Sequence, residues 1–207
     1  MGPYERHVLP RLVELTCGGA DMERWRARAT EGLHGTVVEI GFGSGLNVPV
    51  YPEAVSRVWA VEPNELARRR SSARTSASPV TIEHVGLDGQ SLPLPDQSCD
   101  AALSTFTLCT IPDAGVALAE VHRVLRPGGT FHFLEHGAAP DPSVATWQRR
   151  FEPAQKRLAG GCHLTRDVVA MVTDAGFEIV QVDSRYARGP KPWTWFTIGR
   201  AVRPAGG

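Results

Sequence analysis

Val37-Val-Glu-Ile-Gly-Phe-Gly-Ser-Gly45 joins an apolar strand to a loop with glycine at every second position. These glycines permit a tight turn and let the backbone approach a ligand without an intervening side chain. A dinucleotide fingerprint needs its third glycine one position later, where this sequence has Leu46, so the spacing disfavours a nicotinamide or flavin enzyme. An ordinary strand-to-helix turn is the alternative. We favour a loop that cradles a ligand.

Short apolar runs alternate with helical patterns along the rest of the chain. Strands are predicted at residues 36–40, 58–61, 80–84, 99–106, 130–134, 177–186 and 193–202. Helices are predicted between them and, as a pair, at residues 4–31, with Asn64, Asp113 and Thr165 as N-caps. The alternation predicts an α/β fold with a seven-stranded, mostly parallel sheet and helices on both faces. Gly-Pro-Lys-Pro at 189–192 suggests a hairpin-like return, which makes the last strand antiparallel.

The chain carries no excess charge, because 22 lysines and arginines balance 22 aspartates and glutamates among its 207 residues. It therefore has no global field that would attract nucleic acid or an anionic membrane. No window reaches the roughly 18 apolar residues of a membrane span, and the first residues lack the apolar stretch of a signal peptide. We expect a cytoplasmic monomer or homodimer, without nucleic-acid partners or stable membrane insertion.

The four cysteines, at positions 17, 99, 109 and 162, lie far apart in the sequence. None belongs to a Cys-x-x-Cys motif or to a zinc-like pairing with histidine. We therefore expect reduced thiols, with Cys99 and Cys109 acting as small buried apolar residues, and we predict no metal.

Two carboxylates follow predicted strands, at the end where parallel sheets bind ligands. Glu62 comes about twenty residues after the glycine loop, where a carboxylate can accept hydrogen bonds from both hydroxyls of a ribose. A solvated loop glutamate is the alternative for Glu62. Asp88 could accept from the exocyclic amine of a base, although Asp88-Gly89 is also a common turn pair.

Four blocks together resemble the class I S-adenosylmethionine-dependent methyltransferases over roughly residues 36–202. They are Val37 to Gly45, Val61-Glu-Pro-Asn64, Leu92-Pro-Leu-Pro-Asp-Gln-Ser-Cys-Asp100 and Glu120-Val-His-Arg-Val-Leu-Arg-Pro-Gly-Gly129. The resemblance implies a Rossmann-like fold, S-adenosylmethionine as the cofactor and S-adenosylhomocysteine as its product.

The resemblance also implies a set of cofactor-binding residues. The glycine loop would border the methionine and ribose parts, Glu62 the ribose, Asp88 and Gly89 the adenine, and Thr105 and Phe106 the sulfonium. The full set is Glu39, Gly41, Gly43, Ser44, Gly45, Asn47, Glu62, Pro63, Asp88, Gly89, Thr105 and Phe106.

Leu108-Cys-Thr-Ile111, Phe133-Leu-Glu-His136 and Gly161-Cys-His-Leu-Thr-Arg166 are similar to segments of the methyltransferase-like seven proteins. That family is associated with S-methylation of small thiols. Its animal members carry an N-terminal hydrophobic anchor, which we do not expect in this chain, and they usually have asparagine in place of His163. The small-molecule acceptor implied is a thiol. Methylation of a quinone carbon, phenolic oxygen or amine nitrogen is an alternative, and a protein that holds the cofactor without turnover is another.

Two histidines are candidate general bases. His136 follows Glu135 at the end of the fifth predicted strand, near the expected methyl position, and His163 lies in the segment before a predicted helix that could close the substrate pocket. A structural histidine is the alternative for each.

One domain spanning residues 1–207 is the simplest organisation for a chain of this length. Within it we expect an N-terminal helical cap at 1–34 and a cofactor-binding core at 36–136. A substrate-side insert and helix at 137–176 and the terminal strands at 177–203 complete the chain.

Overall fold

A seven-stranded sheet organises the protein in the computed structural model, which describes residues 2–206. The strands are β1 (Gly35–Ile40), β2 (Val55–Val61), β3 (Thr81–Gly86), β4 (Cys99–Thr105), β5 (Leu125–His136), β6 (Glu178–Tyr186) and β7 (Trp195–Val202). Their order across the sheet is β3-β2-β1-β4-β5-β7-β6. Strands β1 to β5 pair in parallel, whereas β7 runs antiparallel to both of its neighbours. The predicted sheet with an antiparallel last strand is confirmed.

Helices cover both faces of this sheet. They are α1 (Pro3–His7), α2 (Leu9–Cys17), α3 (Ala20–Thr30), α4 (Glu65–Ala77), α5 (Ala114–Val124), α6 (Pro142–Leu158), α7 (Val168–Asp174) and α8 (Lys191–Thr194), with a 3₁₀ turn at Val48–Val50. Val38 packs with α5 and α7 on one face, and its neighbour Val37 packs with Leu33 and Phe42 on the other. Because both faces are covered at the centre of the sheet, β1 and β4 are buried along nearly their whole length, whereas β3 and β6 are largely exposed.

The N-terminal region forms three helices, where two were predicted. Pro10 has no backbone N–H, and it restricts the backbone of the residue before it. The first helix therefore ends near Val8, and a new helix begins with Pro10 in its first turn. α3 then packs its Ala29 against Leu134 and Phe196 of the sheet.

Two of the three predicted helix caps are confirmed. Asn64 accepts a hydrogen bond from the Ala67 amide, and Asp113 accepts one from the Val116 amide. The prediction for Thr165 is wrong, because α7 begins two residues later and Asp167 caps it by accepting from the Ala170 amide.

The segment that contains Thr165 is held away from helical geometry by contacts on both sides. Arg166 donates to the carbonyl oxygens of Ile111 (2.7 Å) and Pro112 (3.1 Å) and also to that of Leu108. The Leu164 amide donates to Glu152 of α6. The helix can therefore begin only after Arg166.

None of the helices formed within residues 2–206 combines the length and the apolar character that a bilayer crossing requires.

Candidate active site

A cavity of about 410 Å³ lies where β1, β2, β3 and β4 end. Its floor comes from the loops after these strands, residues 41–44, 61–64, 87–89 and 105–107. α1 and α2 close one side with Glu5, Leu9, Pro10 and Val13, and residues 110–112 and 159–160 form another side. The cavity therefore occupies the carboxyl ends of the strands, the place expected for a ligand in an open parallel sheet.

The glycine loop needs its glycines for two different reasons. Gly41 has φ +71°, and a Cβ there would lie 2.0 Å from the Oγ1 atom of Thr107. Gly43 has φ +58°, but the nearest atom to a Cβ would be the Gly41 carbonyl oxygen at 3.8 Å. Glycine at position 41 thus lets the loop pack closely against Thr107, whereas glycine at position 43 leaves open space beside the cavity.

Glu62 lies on the cavity floor and is 7% exposed. Its carboxylate accepts hydrogen bonds of 2.8 Å from the Gly43 amide and of 2.8 Å from the Asn64 amide. Burial raises the pKa of Glu62, while these two backbone hydrogen bonds and the charge of Arg68 act in the opposite direction. One carboxylate therefore ties the glycine loop to the start of α4 at the cavity edge.

The other predicted floor residues also border the cavity. Ser44, Pro63, Asp88 and Gly89 line it, and Asp88 accepts a 2.8 Å hydrogen bond from the Gln90 amide. Asp88 is thus at once a turn residue and a cavity residue, the two possibilities that its sequence left open.

Thr105 and Phe106 line the cavity at the end of β4. Phe106 has φ +53°, a left-handed conformation that is strained for a large side chain. Two contacts hold Phe106 in this conformation: its amide donates to the Leu134 carbonyl at 2.8 Å, and its ring packs edge-to-face on Phe196.

Arg26 brings a buried positive charge from α3 to the cavity. Its Nη1 donates to Asn47 Oδ1 at 2.9 Å and to Thr105 Oγ1 at 2.8 Å. Its guanidinium carbon also lies 5.6 Å from the centre of the Phe106 ring. The N-terminal helices therefore supply the site with a cation as well as apolar walls.

Glu39 and Asn47, two predicted cofactor contacts, lie outside the cavity lining and are fully buried. Glu39 accepts hydrogen bonds from Asn47 Nδ2 at 2.9 Å and from the Tyr51 hydroxyl. Gly45 is likewise absent from the lining and packs against Ser71 and Val48. These three residues support the loop from beneath.

Glu39 should make stability depend on pH. Burial raises its pKa to about 7, despite hydrogen bonds from Tyr51 and Asn47 and the charge of Arg26. The ordinary pKa of a glutamate side chain is 4.5. Between pH 4.5 and about 7, Glu39 therefore keeps its proton in the folded chain and releases it in the unfolded chain. Stability should therefore fall as pH rises through this window, by up to about 1.4 kcal/mol per pH unit.

Chemical denaturation of the wild type and of Glu39→Gln at pH 5, 6 and 7 measures this contribution. The variant lacks the titrating group, so the wild-type free energy of unfolding should drop by on the order of 2 kcal/mol relative to the variant across the series. A difference that stays constant with pH would contradict the assignment.

His136 and His163, the predicted bases, both lie outside the cavity lining. His163 Nδ1 is 3.2 Å from Glu152 Oε1, on the α6 side of the molecule. Burial lowers the pKa of His163, and the charges of Arg166 and Lys156 lower it further. The structure therefore places neither of the two histidines in the wall of the cavity.

His136 instead meets two cysteines. Its Nε2 lies 2.9 Å from Cys162 Sγ, and Cys109 belongs to the same buried group. The Cys109 thiol hydrogen bond, with the hydrogen bond and charge of His136, lowers the pKa of Cys162 to about 4 in spite of burial. Burial lowers the pKa of His136, but its contacts with Cys162 outweigh this and raise the pKa overall.

Three of these features escaped the sequence analysis. The cysteines and His136 are separated by 26 or more positions, so no local spacing reveals them. Arg26 lies in a helix with several arginines, a pattern that is typical of a helix exposed to solvent. The buried Glu135 carboxylate, which accepts from Ser104 at 2.7 Å and from the Thr107 amide at 2.9 Å, was noted only as a neighbour of His136.

Comparison with known proteins places this geometry in a family. The family described as "Methyltransferase domain" matches residues 38–133. Thiol S-methyltransferase TMT1B of Rattus norvegicus is 34% identical over 168 residues, which cover 79% of this chain and 67% of the relative. TMT1B of Mus musculus is 35% identical over 175 residues, 82% of this chain and 70% of the relative. The chain thus spans about two thirds of the length of these curated relatives.

A solved structure supports the same fold. An S-adenosylmethionine-dependent methyltransferase from Mesorhizobium loti superposes with a TM-score of 0.65 at 21% identity, and the match covers 89% of this chain and 99% of that one. The sequence relatives and the shared sheet agree. The chain therefore belongs to the S-adenosylmethionine-dependent methyltransferases, in the family that includes TMT1B of rat and mouse.

Proposed function

We propose that this protein methylates the sulfur atom of a small thiol. The similarity to relatives named thiol S-methyltransferases, over about four fifths of this chain, carries the proposal. The apolar residues of the cavity wall support it.

The cavity residues fit S-adenosylmethionine, which supplies a methyl group on a positively charged sulfur. Gly43 leaves open space beside the Glu62 carboxylate, a suitable acceptor for ribose hydroxyls. Asp88 and Gly89 line the part of the cavity beyond β3, where an adenine would be held. Arg26 offers a cation for a carboxylate, next to Thr105 and Phe106.

The predicted contacts Glu39, Gly45 and Asn47 act indirectly in this proposal. Asn47 links Glu39 to Arg26 through hydrogen bonds of 2.9 Å on each side. We infer that this chain of contacts holds the Arg26 guanidinium toward the cavity, so that Glu39 and Asn47 position a binding group rather than touch the cofactor.

The acceptor side of the cavity suits a thiol. Leu9, Pro10, Val13, Ile111 and Pro112 give it an apolar wall. None of the described residues that line it is a histidine. A few per cent of an ordinary thiol is already ionised at neutral pH, so a thiol needs little help from a base, whereas an alcohol needs much more. The predicted bases His136 and His163 are dispensable for such an acceptor, and catalysis rests mainly on positioning.

A matched set of acceptors tests the proposal. Benzyl mercaptan, benzyl alcohol and benzylamine share one ring and differ in the accepting atom. With S-adenosylmethionine present, mass spectrometry should detect the methyl thioether from the thiol and no methylated alcohol or amine. Reactions without protein correct for spontaneous methylation.

Two outcomes would overturn this proposal. Turnover of the alcohol or the amine without turnover of any thiol would assign a different accepting atom. Tight binding of S-adenosylhomocysteine by calorimetry, with no methyl transfer to a wider panel of thiols, phenols and amines, would instead indicate a protein that holds the cofactor without turnover.

A further inference from the structure

Three side chains from distant segments meet behind the cavity wall. Cys109 lies in the loop after β4, His136 ends β5, and Cys162 follows α6. Their potential ligand atoms, two sulfurs and one ring nitrogen, all lie within 4.8 Å of one another. Both cysteines are buried, and neither forms a disulfide. We call Cys109, His136 and Cys162 the rear cluster.

We propose that the rear cluster binds one Zn²⁺ ion. Thiolate and imidazole are the ligands that zinc favours, at about 2.3 Å from sulfur and about 2.0–2.1 Å from nitrogen. A tetrahedral site with these bond lengths places its sulfurs about 3.8 Å apart and a sulfur about 3.5 Å from a nitrogen. The rear cluster, with 2.9 Å between His136 Nε2 and Cys162 Sγ and no separation above 4.8 Å, reaches this geometry through small side-chain shifts.

Two buried polar atoms without a hydrogen-bond partner lie in the rear cluster and in the residue next to it. Within residues 2–206, His136 Nδ1 and Glu135 Oε2 are two of only three buried side-chain nitrogen or oxygen atoms without a hydrogen-bond partner. The Glu135 carboxylate also acts electrostatically on both Cys109 and His136. A native protein seldom leaves such groups unsatisfied, so the hydrogen-bonding around His136 and Glu135 is incomplete in the protein alone. A dication would be attracted both to the Glu135 carboxylate and to the thiolates that bind it.

The rear cluster joins two segments that line the cavity. Cys109 directly precedes the lining residue Thr110, and Cys162 follows the lining residue Gly160 by two positions. The His163 amide already donates to the Cys109 carbonyl at 2.8 Å, so these segments are in contact. Zinc would fasten both of them to the end of β5 and so stiffen this wall of the cavity.

Three protein ligands leave one position of a zinc tetrahedron unfilled by this cluster. Zinc ligated by both thiolates requires that Cys109 give up its proton, and metal binding commonly removes such protons.

The same two cysteines could instead form a disulfide under oxidising conditions. That alternative predicts no metal and two fewer free thiols.

The test measures metal content in tag-free protein purified with a reductant and without chelators. Inductively coupled plasma mass spectrometry should find about one zinc per chain in the wild type. Cys109→Ser, His136→Asn and Cys162→Ser should each retain less than about a tenth of that amount, since each removes one of three ligands. Cys99→Ser is the control, because Cys99 is equally buried but lies outside the rear cluster; it should keep its zinc.

Cobalt titration of the wild type keeps the proposal testable if the ligand variants fail to fold. Co²⁺ in a tetrahedral site with two thiolates gives intense visible bands and sulfur-to-metal charge-transfer bands that Zn²⁺ abolishes. A wild type that takes up neither zinc nor cobalt when they are added would overturn the proposal. So would peptide mapping that finds Cys109 joined to Cys162 in protein purified with reductant.

Discussion

Gly41→Ala is expected to lower the free energy of unfolding by about 2–5 kcal/mol and to abolish most binding of S-adenosylhomocysteine. The new Cβ would lie 2.0 Å from Oγ1, 2.4 Å from Cγ2 and 2.7 Å from Cβ of Thr107. The left-handed backbone adds roughly 1–2 kcal/mol for any L-residue, and overpacking typically adds about 1–3 kcal/mol. Urea denaturation and calorimetry measure the two effects.

Gly43→Ala and Thr107→Gly make this prediction specific. Gly43 has a similar φ but an open neighbourhood, so Gly43→Ala should cost only the backbone term in stability. Thr107→Gly removes all three clashing atoms and should restore part of the stability that Gly41→Ala loses. If the double variant is no more stable than the sum of the single effects predicts, contact with Thr107 is not the cause.

Glu62→Ala should weaken binding of S-adenosylhomocysteine by about 100-fold. Under the proposed function, the carboxylate accepts from ribose hydroxyls, and a hydrogen bond to a charged group contributes about 1.5–3 kcal/mol. The change also removes the acceptor for the Gly43 and Asn64 amides, so the glycine loop loses its tie to α4. Since 1.4 kcal/mol is tenfold in affinity, a loss near 3 kcal/mol corresponds to the stated factor. Isothermal titration calorimetry gives the dissociation constants directly.

Glu65→Gln is the matched control for Glu62. Glu65 stands three residues later, is exposed, and pairs with Arg69 in solvent at 2.9 Å. Its replacement should leave cofactor affinity within a factor of two. Circular dichroism spectra and melting temperatures show whether Glu62→Ala remains folded. A folded Glu62→Ala protein that binds as tightly as the wild type would remove Glu62 from the proposed ribose contact.

The sheet was predictable because its signals are local. Each buried parallel strand is a short apolar run, and the glycine loop and Asp113 mark where strands stop and helices start. The break at Val8 and the late start of α7 were not predicted. Both depend on competing local effects, a proline near a helix start and an arginine that is pinned by three distant carbonyls.

The floor of the site was predictable, but the groups that support and enclose it were not. Residues at strand ends, such as Glu62 and Asp88, are brought together by the topology alone. Glu39 is one residue before the end of β1, and its side chain points beneath the loop to Asn47 rather than into the cavity. The placement of Arg26 and of the rear cluster depends on contacts between segments that are distant in sequence. Local sequence patterns do not reveal such contacts.

The position of β7 bears on how the protein is made. Within residues 2–206, β7 is the last strand in sequence, yet it lies between β5 and β6 and is the only sheet neighbour of β6. During translation β6 leaves the ribosome without a partner, and β5 presents an open edge until β7 inserts. An open edge can pair with another nascent chain, so aggregation is a risk in the interval before β7 emerges.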